Sequence, residues 1–424
     1  MKVAFINIDD TLGGASIACI RLAEALKKRG IDVSLLTQSK NSNKSTVIPV
    51  SSKPWFKYLV KFNFLVERLF FFFFEKNKSV RFAFSPNLFG IDITHYFDFS
   101  KIDIIHLHWT NFGFLSNHSL KRIFELDKPI VWTMHDMWVM TGGCHHSGDC
   151  TNFKTNCGEC NQYLKRPSKT DLSHKLNKSK YELFRSLKDI HFVGCSEWIS
   201  NRARQSSILR NHPISAIPNP INQNEFFPLD KVEARISLNL ASDKSYILFS
   251  AIKVTVIWKG YTYLKKSLEI LINNLTESEV KNIELLIVGE SGSSVESDFP
   301  FKTHFLGRIN DSEKMNAIYN SADVFVSSSI QENLPNTIME ALATATPCVG
   351  FDIGGIPEMI DHQRNGYVSS YKSSSSLAEG LLWVLNHEDY STLCLNAVSK
   401  VKRTYNAKVV ANKYIKVYKA VLEK

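Results

Sequence analysis

Two glutamates separated by seven residues, Glu332 and Glu340, are the side chains of this sequence best placed to do chemistry. The preceding segment Ser321–Ser329 is short and apolar and predicts a buried strand, and a helical pattern begins near Pro335. Proline suits a first helical position because its missing N–H would be unpaired there. The strand end should therefore present Glu332, and Glu340 should lie about one helical turn further along, on the same side.

The start of that helix is also a predicted anion site. Asn336 and Thr337 occupy its first turn, where backbone N–H groups have no partner within the helix. These N–H groups and the positive end of the helix dipole together favour a phosphate group. The two carboxylates alone mean little, because ordinary helices often offer such spacings.

A longer pattern surrounds the two glutamates. Its members are Glu332, Glu340, Ala341, Pro347, Gly354, Gly355 and Glu358. It resembles the signature of glycosyltransferase family 4, in which a Glu is followed by seven residues, Glu-Ala, a small residue, Pro and a Gly-Gly loop. One position departs from the family pattern, because Ala345 stands where the family usually has Gly before Thr-Pro.

The resemblance covers most of the chain and implies an α/β protein of the GT-B class, with two Rossmann-like doubly wound domains facing a central cleft. It also implies a retaining transfer of a sugar from a nucleotide-sugar donor. Glu332 is implied to contact the hydroxyls of the donor sugar and to stabilise the positive charge that develops near its anomeric carbon. Glu340 is implied to accept hydrogen bonds from the ribose hydroxyls. His135, at the end of the predicted strand Pro129–Met134, is implied to position the sugar or the reacting acceptor oxygen.

The resemblance further implies how the donor diphosphate is neutralised. The family pairs an Arg and a Lys at the spacing of Lys253 and Lys259, and here Lys253 stands in place of the Arg. The positive charge is kept, but a lysine cannot form the two parallel hydrogen bonds of a guanidinium group. Arg308 is expected to border the nucleotide base. The loop containing Gly14 is expected near the donor phosphate or the acceptor, and a plain tight turn is the alternative.

Composition limits the class of protein. The chain has 424 residues, 44% of them hydrophobic, which is enough for two globular domains. We expect a first domain over residues 1–212, a donor domain over 213–405, and a C-terminal helix over 406–424 that crosses back to the first. Two features support this division: the alternation of strands and helices starts again in the second half, and the proline-rich segment His212–Pro228 predicts a linker. The net charge is +10, but no basic run with interleaved aromatic residues recurs in the sequence, so nucleic-acid binding is not predicted.

The expected compartment is the cytoplasm. The first residues predict a strand rather than a signal peptide, because an acidic pair, Asp9 and Asp10, comes early. Several cysteines are scattered singly, which favours a reducing environment. The sequence contains no Asp-x-Asp triplet, so a metal that bridges the donor diphosphate is not expected, and no cofactor is expected for catalysis.

The segment Trp55–Phe74 has two open interpretations. Its apolar residues share a helical face, but Lys57, Lys61, Glu67 and Arg68 interrupt the run, so it does not predict a membrane-spanning helix. It could be an amphipathic helix in a membrane interface or a core helix of the first domain. The membrane interpretation would place the protein at the inner face of the cytoplasmic membrane.

Four cysteines lie within 17 residues, namely Cys144, Cys150, Cys157 and Cys160. This spacing predicts a structural zinc site that closes a long loop, with no open coordination position for catalysis. Reduced thiols packed as small apolar groups, or a disulfide outside the cytoplasm, are the alternatives.

The sequence therefore predicts a glycosyltransferase that acts on a glycan or lipid-linked glycan, as in surface polysaccharide synthesis. A nucleotide-sugar epimerase of the same architecture and a catalytically silent membrane-associated protein that binds sugar nucleotides remain alternatives.

Overall fold

A computed structural model describes residues 1–290 and 299–423. The chain forms two compact units. Residues Met1–Pro220 and Val410–Lys424 make up the first, and Ile221–Val409 make up the second. Each unit contains a sheet whose paired strands are parallel, so short apolar segments in each half are buried on both faces.

The first unit is built on a seven-stranded sheet in the order β3-β2-β1-β4-β5-β6-β7. Its strands are β1 Lys2–Asp9, β2 Asp32–Ser39, β3 Val47–Pro49, β4 Ile104–Leu107, β5 Ile130–Met134, β6 Ile190–Gly194 and β7 Ile214–Ala216. All residues of β4 and β5 are buried. The strand order reverses between β1 and β4, which is the topological switch point where ligands bind in sheets of this kind.

The helices of the first unit begin at recognisable signals. They include α1 Gly13–Lys27, α2 Pro54–Phe72, and the helices Asn117–Phe124, Leu172–Phe184 and Glu197–Gln205. Ser196 caps the last of these, with its hydroxyl accepting from the N–H of Ile199 at 3.1 Å. Asp171 caps the helix Leu172–Phe184 in the same way, with its carboxylate accepting from the N–H of His174 at 3.2 Å.

The second unit repeats the architecture with a six-stranded sheet in the order β10-β9-β8-β11-β12-β13. Its strands are β8 Ser245–Lys253, β9 Ile283–Glu290, β10 Lys302–Gly307, β11 Val324–Ser327, β12 Cys348–Phe351 and β13 Gly366–Ser369. Its described helices are Lys231–Ser237, Tyr261–Ile272, Glu277–Asn282, Ser312–Ser321, Asn336–Ala343, Ile356–Met359, Ser374–Leu385 and Tyr390–Thr404. Here the order reverses between β8 and β11.

The units divide at a different residue from the one expected. Strand β7 pairs in parallel with β6, so the residues after 212 continue the first sheet rather than form a linker. The final helix, Ala407–Leu422, contributes its residues from Val410 onwards to the first unit. There the hydroxyl of Tyr418 lies 2.7 Å from Nδ1 of His106.

Across residues 1–290 and 299–423, no helix is long and apolar enough to cross a lipid bilayer.

Candidate functional site

The predicted donor residues of the second unit lie at the reversal of its strand order. Lys253 ends β8, and Lys259 ends a short 3₁₀ turn, Ile257–Lys259, that follows it. Glu332 follows β11, which is the neighbour of β8 in the sheet. Because the strands are parallel, these residues meet at the same edge of the sheet, where a nucleotide binds in doubly wound folds.

An ion pair joins the loops after these two strands. The Nζ of Lys259 lies 2.7 Å from Oε2 of Glu332, and the two side chains are 30% and 17% exposed. A hydrogen bond also joins the two loops, because the Ser328 hydroxyl donates to the carbonyl oxygen of Lys259 at 2.9 Å. Gly260 has φ of 70°, and a Cβ there would lie 1.8 Å from the carbonyl oxygen of Ser328, so only glycine fits.

The Gly-Gly loop of the sequence pattern packs against the backbone of Glu332. Gly354 has φ of 61°, and a Cβ at that position would lie 1.9 Å from the carbonyl oxygen of Glu332. The next residue, Gly355, donates its N–H to the carbonyl oxygen of Asn333 at 2.6 Å. The two glycines therefore fix the position from which the Glu332 side chain leaves the backbone.

Glu340 is a buried member of the helix Asn336–Ala343. Its side chain is 8% exposed, and its Oε2 accepts a hydrogen bond of 3.0 Å from the hydroxyl of Tyr319. The helix begins at Asn336, with Pro335 as the residue before it, one position later than predicted. Asn336 and Thr337 form the first turn and are half-buried.

Two further predicted residues lie at the same edge of the second sheet but are more exposed. The side chain of Lys253 is solvent-exposed. Arg308 follows β10, and its Nη1 lies 3.7 Å from Oε1 of Glu290 at the end of β9. Its Nε donates to the side chain of Asn310 at 3.2 Å.

In the first unit, the turn after β1 is held by the side chains of two polar residues. Asn7 donates to the hydroxyl of Ser16 at 3.0 Å and accepts from the N–H of Trp109 at 3.0 Å. Asp9 accepts from the N–H of Leu12 at 2.7 Å. Gly13 has a positive φ of 84°, and Gly14 lies exposed in the first turn of α1.

His135 is brought next to a second imidazole at the ends of β4 and β5. Its Nε2 lies 3.0 Å from Nδ1 of His108, and its Nδ1 lies 3.5 Å from Sγ of Cys195. Burial lowers the pKa of His135 to about 4, although the nearby charge of Asp136 acts in the opposite direction. His135 is therefore neutral near pH 7 and can accept or donate a hydrogen bond without carrying a charge.

The family is decided by comparison with known sequences. The model of Glycosyltransferase Family 4 matches residues 12–225, and the model of Glycosyl transferases group 1 matches residues 246–387. The chain belongs to glycosyltransferase family 4. Its sequence pattern around Glu332 and its paired parallel sheets are therefore those of a glycosyltransferase.

One relative of this glycosyltransferase matches over the whole chain, and another matches over about half of it. An uncharacterized glycosyltransferase, MJ1607, from Methanocaldococcus jannaschii is 25% identical over 100% of this chain and 99% of its own. A UDP-Gal:alpha-D-GlcNAc-diphosphoundecaprenol alpha-1,3-galactosyltransferase from Escherichia coli is 24% identical over 46% of this chain and 50% of its own.

Solved structures confirm the fold. Sucrose-phosphate synthase from Thermosynechococcus elongatus matches with a TM-score of 0.67 at 18% identity, covering 100% of this chain and 99% of its own. Anabaena Alr3699/HepE, crystallised with UDP-glucose, matches with a TM-score of 0.64 at 14% identity, covering 99% and 100%. The predicted fold class, α/β of the GT-B type with two Rossmann-like domains, is confirmed.

The predicted zinc site at the four cysteines of this glycosyltransferase stays a prediction, because their side chains are not gathered around one point in this structure. All four are free thiols, and the described residues contain no group of three or more His, Cys, Asp or Glu side chains placed to hold a metal ion. Cys144 and Cys160 instead pack against a small apolar cluster that includes Phe84. Burial raises the pKa of the Cys157 thiol to about 12 and of Cys160 to about 11. The arrangement favours the alternative that the sequence left open, thiols packed as small apolar groups.

Sequence reasoning missed the network around Asp136. Its Oδ2 accepts 2.7 Å hydrogen bonds from Trp109 Nε1 and from His145, and its Oδ1 accepts from the N–H of Trp138. Burial pushes the pKa of Asp136 upwards, but the charge and hydrogen bond of His145, the hydrogen bond from Trp138 and the charge of His146 together lower the pKa to about 2. The position of Asp136 directly after His135, at a strand end, was the only signal in the sequence.

Proposed function

We propose that the protein is a retaining glycosyltransferase that moves a sugar from a nucleotide-sugar donor to a glycan or lipid-linked glycan acceptor in surface polysaccharide synthesis. The observation that carries this proposal is the ion pair between Lys259 and Glu332, at the switch point of the second sheet. It places a fixed cation and a carboxylate side by side where a doubly wound fold binds the phosphates of a nucleotide.

The donor-binding part of the proposal rests on positive charge. Lys253 and Lys259 follow the strand β8, and the helix that begins at Asn336 presents its N-terminus at the same edge. We assign these groups to the donor diphosphate, where they would stabilise the leaving group as negative charge develops on it. Because the sequence contains no Asp-x-Asp triplet, we propose that this stabilisation is metal-independent.

The catalytic part of the proposal assigns one role to each of three residues. Glu332 contacts the hydroxyls of the donor sugar and stabilises the positive charge that develops near its anomeric carbon. Glu340 accepts hydrogen bonds from ribose, and the hydrogen bond from Tyr319 would orient its carboxylate for this. His135 positions the sugar or the reacting oxygen of the acceptor. Arg308 would border the base, and Gly14, in the first turn of α1, would lie near the phosphate or the acceptor.

The nature of the acceptor is supported by the relatives. The Escherichia coli relative is named for transfer from UDP-Gal to a diphosphoundecaprenol-linked sugar, and a Campylobacter jejuni relative is named for an analogous acceptor. We propose a lipid-linked glycan as acceptor for this protein too. Such an acceptor would be met at the cytoplasmic face of the membrane, through peripheral contact by Trp55–Phe74.

The experiment that tests the proposal incubates the protein with a panel of nucleotide sugars, with and without undecaprenyl-diphosphate-linked acceptors. We expect release of nucleoside diphosphate that depends on the acceptor, and a product whose anomeric configuration by NMR is that of the donor. An inverted product would refute retention. Conversion of the donor without acceptor would identify an epimerase, and no turnover with measurable donor binding would identify a silent binding protein.

A further inference from the structure

The outward face of α2 carries a continuous apolar stripe. Its members recur at alternating intervals of three and four residues, and each is between 49% and 76% exposed; they are Trp55, Tyr58, Phe62, Leu65, Leu69 and Phe72. This spacing places them in one line along the helix. Phe73 follows directly and is 69% exposed. Contiguous apolar surface of this extent marks an interaction site in a folded protein.

The inward face shows that α2 is firmly packed in its unit. Phe56 and Phe71 are buried in apolar clusters. Glu67 and Arg68 form a buried ion pair of 2.8 Å, and the guanidinium of Arg68 also lies 4.8 Å from the ring centroid of Phe112. The outward residues are therefore held on a fixed surface, and their exposure does not come from a loosely attached helix.

The charges around the stripe have one sign. From residue 52 to residue 82 the exposed charged side chains are all lysines, namely Lys53, Lys57, Lys61, Lys76 and Lys78. The two acids in this region, Glu67 and Glu75, are buried, and Glu75 is bound to Arg81 at 2.9 Å. Near the start of the helix, Lys57 and Lys61 line a groove of about 400 Å³ together with Tyr58.

We propose that this face of α2 docks on a bilayer that contains anionic phospholipids. The lysines would contact the lipid phosphates, and the aromatic and leucine side chains would enter the boundary between headgroups and acyl chains. The helix lies along the surface and does not cross it, which agrees with the absence of a spanning helix in the described part of the chain. The stripe belongs to the first unit and the proposed donor residues to the second, so the inference does not depend on the proposed chemistry.

A second copy of the chain fits this face less well than a bilayer does. Two copies of α2 would bring together the same lysines, including Lys57 and Lys61, and the exposed surface of the segment offers no carboxylate to compensate them. Like charges at close range oppose such pairing. A lipid surface supplies both the missing negative charge and the apolar layer.

The test is cosedimentation of the full chain with vesicles of phosphatidylglycerol and phosphatidylcholine, compared with phosphatidylcholine alone. We expect binding to the anionic vesicles that is at least about tenfold stronger and that weakens as salt is raised. The double variant Lys57→Ala/Lys61→Ala should lose about tenfold of the affinity. Its control, Lys413→Ala/Lys416→Ala, removes two exposed lysines from the C-terminal helix and should bind normally.

The apolar contribution is tested by Phe62→Ser/Leu65→Ser/Leu69→Ser, which should abolish binding while circular dichroism and the melting temperature stay unchanged. The matched control is Ile236→Ser/Leu395→Ser, which alters residues 64% and 70% exposed in the second unit. Equal binding of the native protein to both vesicle types would overturn the proposal. So would a dimer in sedimentation velocity that the apolar variant dissociates, because the stripe would then be a contact between copies.

Discussion

Lys259 Nζ lies 2.7 Å from Glu332 Oε2, and both residues are partly exposed at the switch point of the second sheet. Without ligand the lysine neutralises the carboxylate that the proposed mechanism requires. A bound diphosphate would draw Lys259 towards its own oxygens and leave Glu332 with more of its negative charge. We therefore expect donor binding and the free charge of Glu332 to be coupled through the side chain of Lys259.

The first prediction concerns the charge of Glu332. In Glu332→Gln the shape is kept, but the negative charge that stabilises the transition state is lost, so kcat should fall about a hundredfold, or roughly 3 kcal/mol. Donor affinity, measured by calorimetry, should change much less. The exposed Glu277→Gln serves as control, and kcat within about twofold of normal for Glu332→Gln would remove this residue from the mechanism.

The second prediction concerns Lys259 and the donor. Lys259→Met removes a cation from the diphosphate site and should raise the donor Kd about tenfold to a hundredfold. Lys266→Met, on the exposed side of the helix that follows, should bind donor normally. If Lys259→Met bound the nucleotide sugar as tightly as the native protein, the diphosphate assignment would be wrong.

The third prediction uses the contact between Gly354 and Glu332. A methyl group at Gly354 would collide with the Glu332 carbonyl oxygen, so Gly354→Ala should displace the carboxylate and lower kcat about a hundredfold. Gly30→Ala is the matched control, because Gly30 also has a positive φ, of 81°, but a Cβ there would meet nothing within 4 Å. Both changes carry the same backbone strain, and only the first should affect turnover.

The fourth prediction is a pH dependence of stability. Burial lowers the pKa of His106 and His108 well below 6.5 and that of His135 to about 4. Between pH 6.5 and 4 the unfolded chain therefore binds more protons than the folded one, and the free energy of unfolding should fall as pH decreases through this window. Each histidine contributes at most about 1.4 kcal/mol per pH unit.

Urea unfolding at a series of pH values measures this slope. His108→Gln should reduce it, and the same change at the exposed His118 should leave it as it is. A slope that is identical in His108→Gln and the native protein would show that His108 does not take part.

The fifth prediction separates packed thiols from a zinc site. Burial raises the pKa of Cys144, Cys157 and Cys160, so these thiols should react with iodoacetamide at pH 8 far more slowly than the exposed Cys150. A chelator should leave the melting temperature unchanged. One equivalent of zinc in the purified protein, with loss of stability on its removal, would restore the metal interpretation.

The sheet strands were the part of the fold that the sequence predicted best. Segments such as Ile130–Met134 are buried on both faces, which makes them continuous apolar runs that need no knowledge of their neighbours. Strand β7 was missed because Ile214–Ala216 is only three residues long and half-buried, amid prolines. Its position follows from pairing with β6, which is a tertiary contact.

The candidate site was predictable in its residues but not in its contacts. The family pattern names Glu332 and Lys259, yet their pairing spans 73 positions and depends on β8 and β11 being neighbours. The partner of Glu340, Tyr319, lies in a different helix and carries no sequence signal. Likewise, the sequence left α2 with two interpretations because periodicity alone does not tell which face is covered.

The hydroxyls of Tyr414 and Tyr418 bond to Thr133 and His106 at 2.9 Å and 2.7 Å, so the first unit contains residues from before and after the second unit in the chain. During translation its sheet emerges early, but the helix that covers these groups is synthesised only after all of the second unit. Until this helix is made, the imidazole of His106 and the hydroxyl of Thr133, which it covers in the folded protein, remain exposed to water. We expect the first unit to complete its packing late, after the second unit has been synthesised.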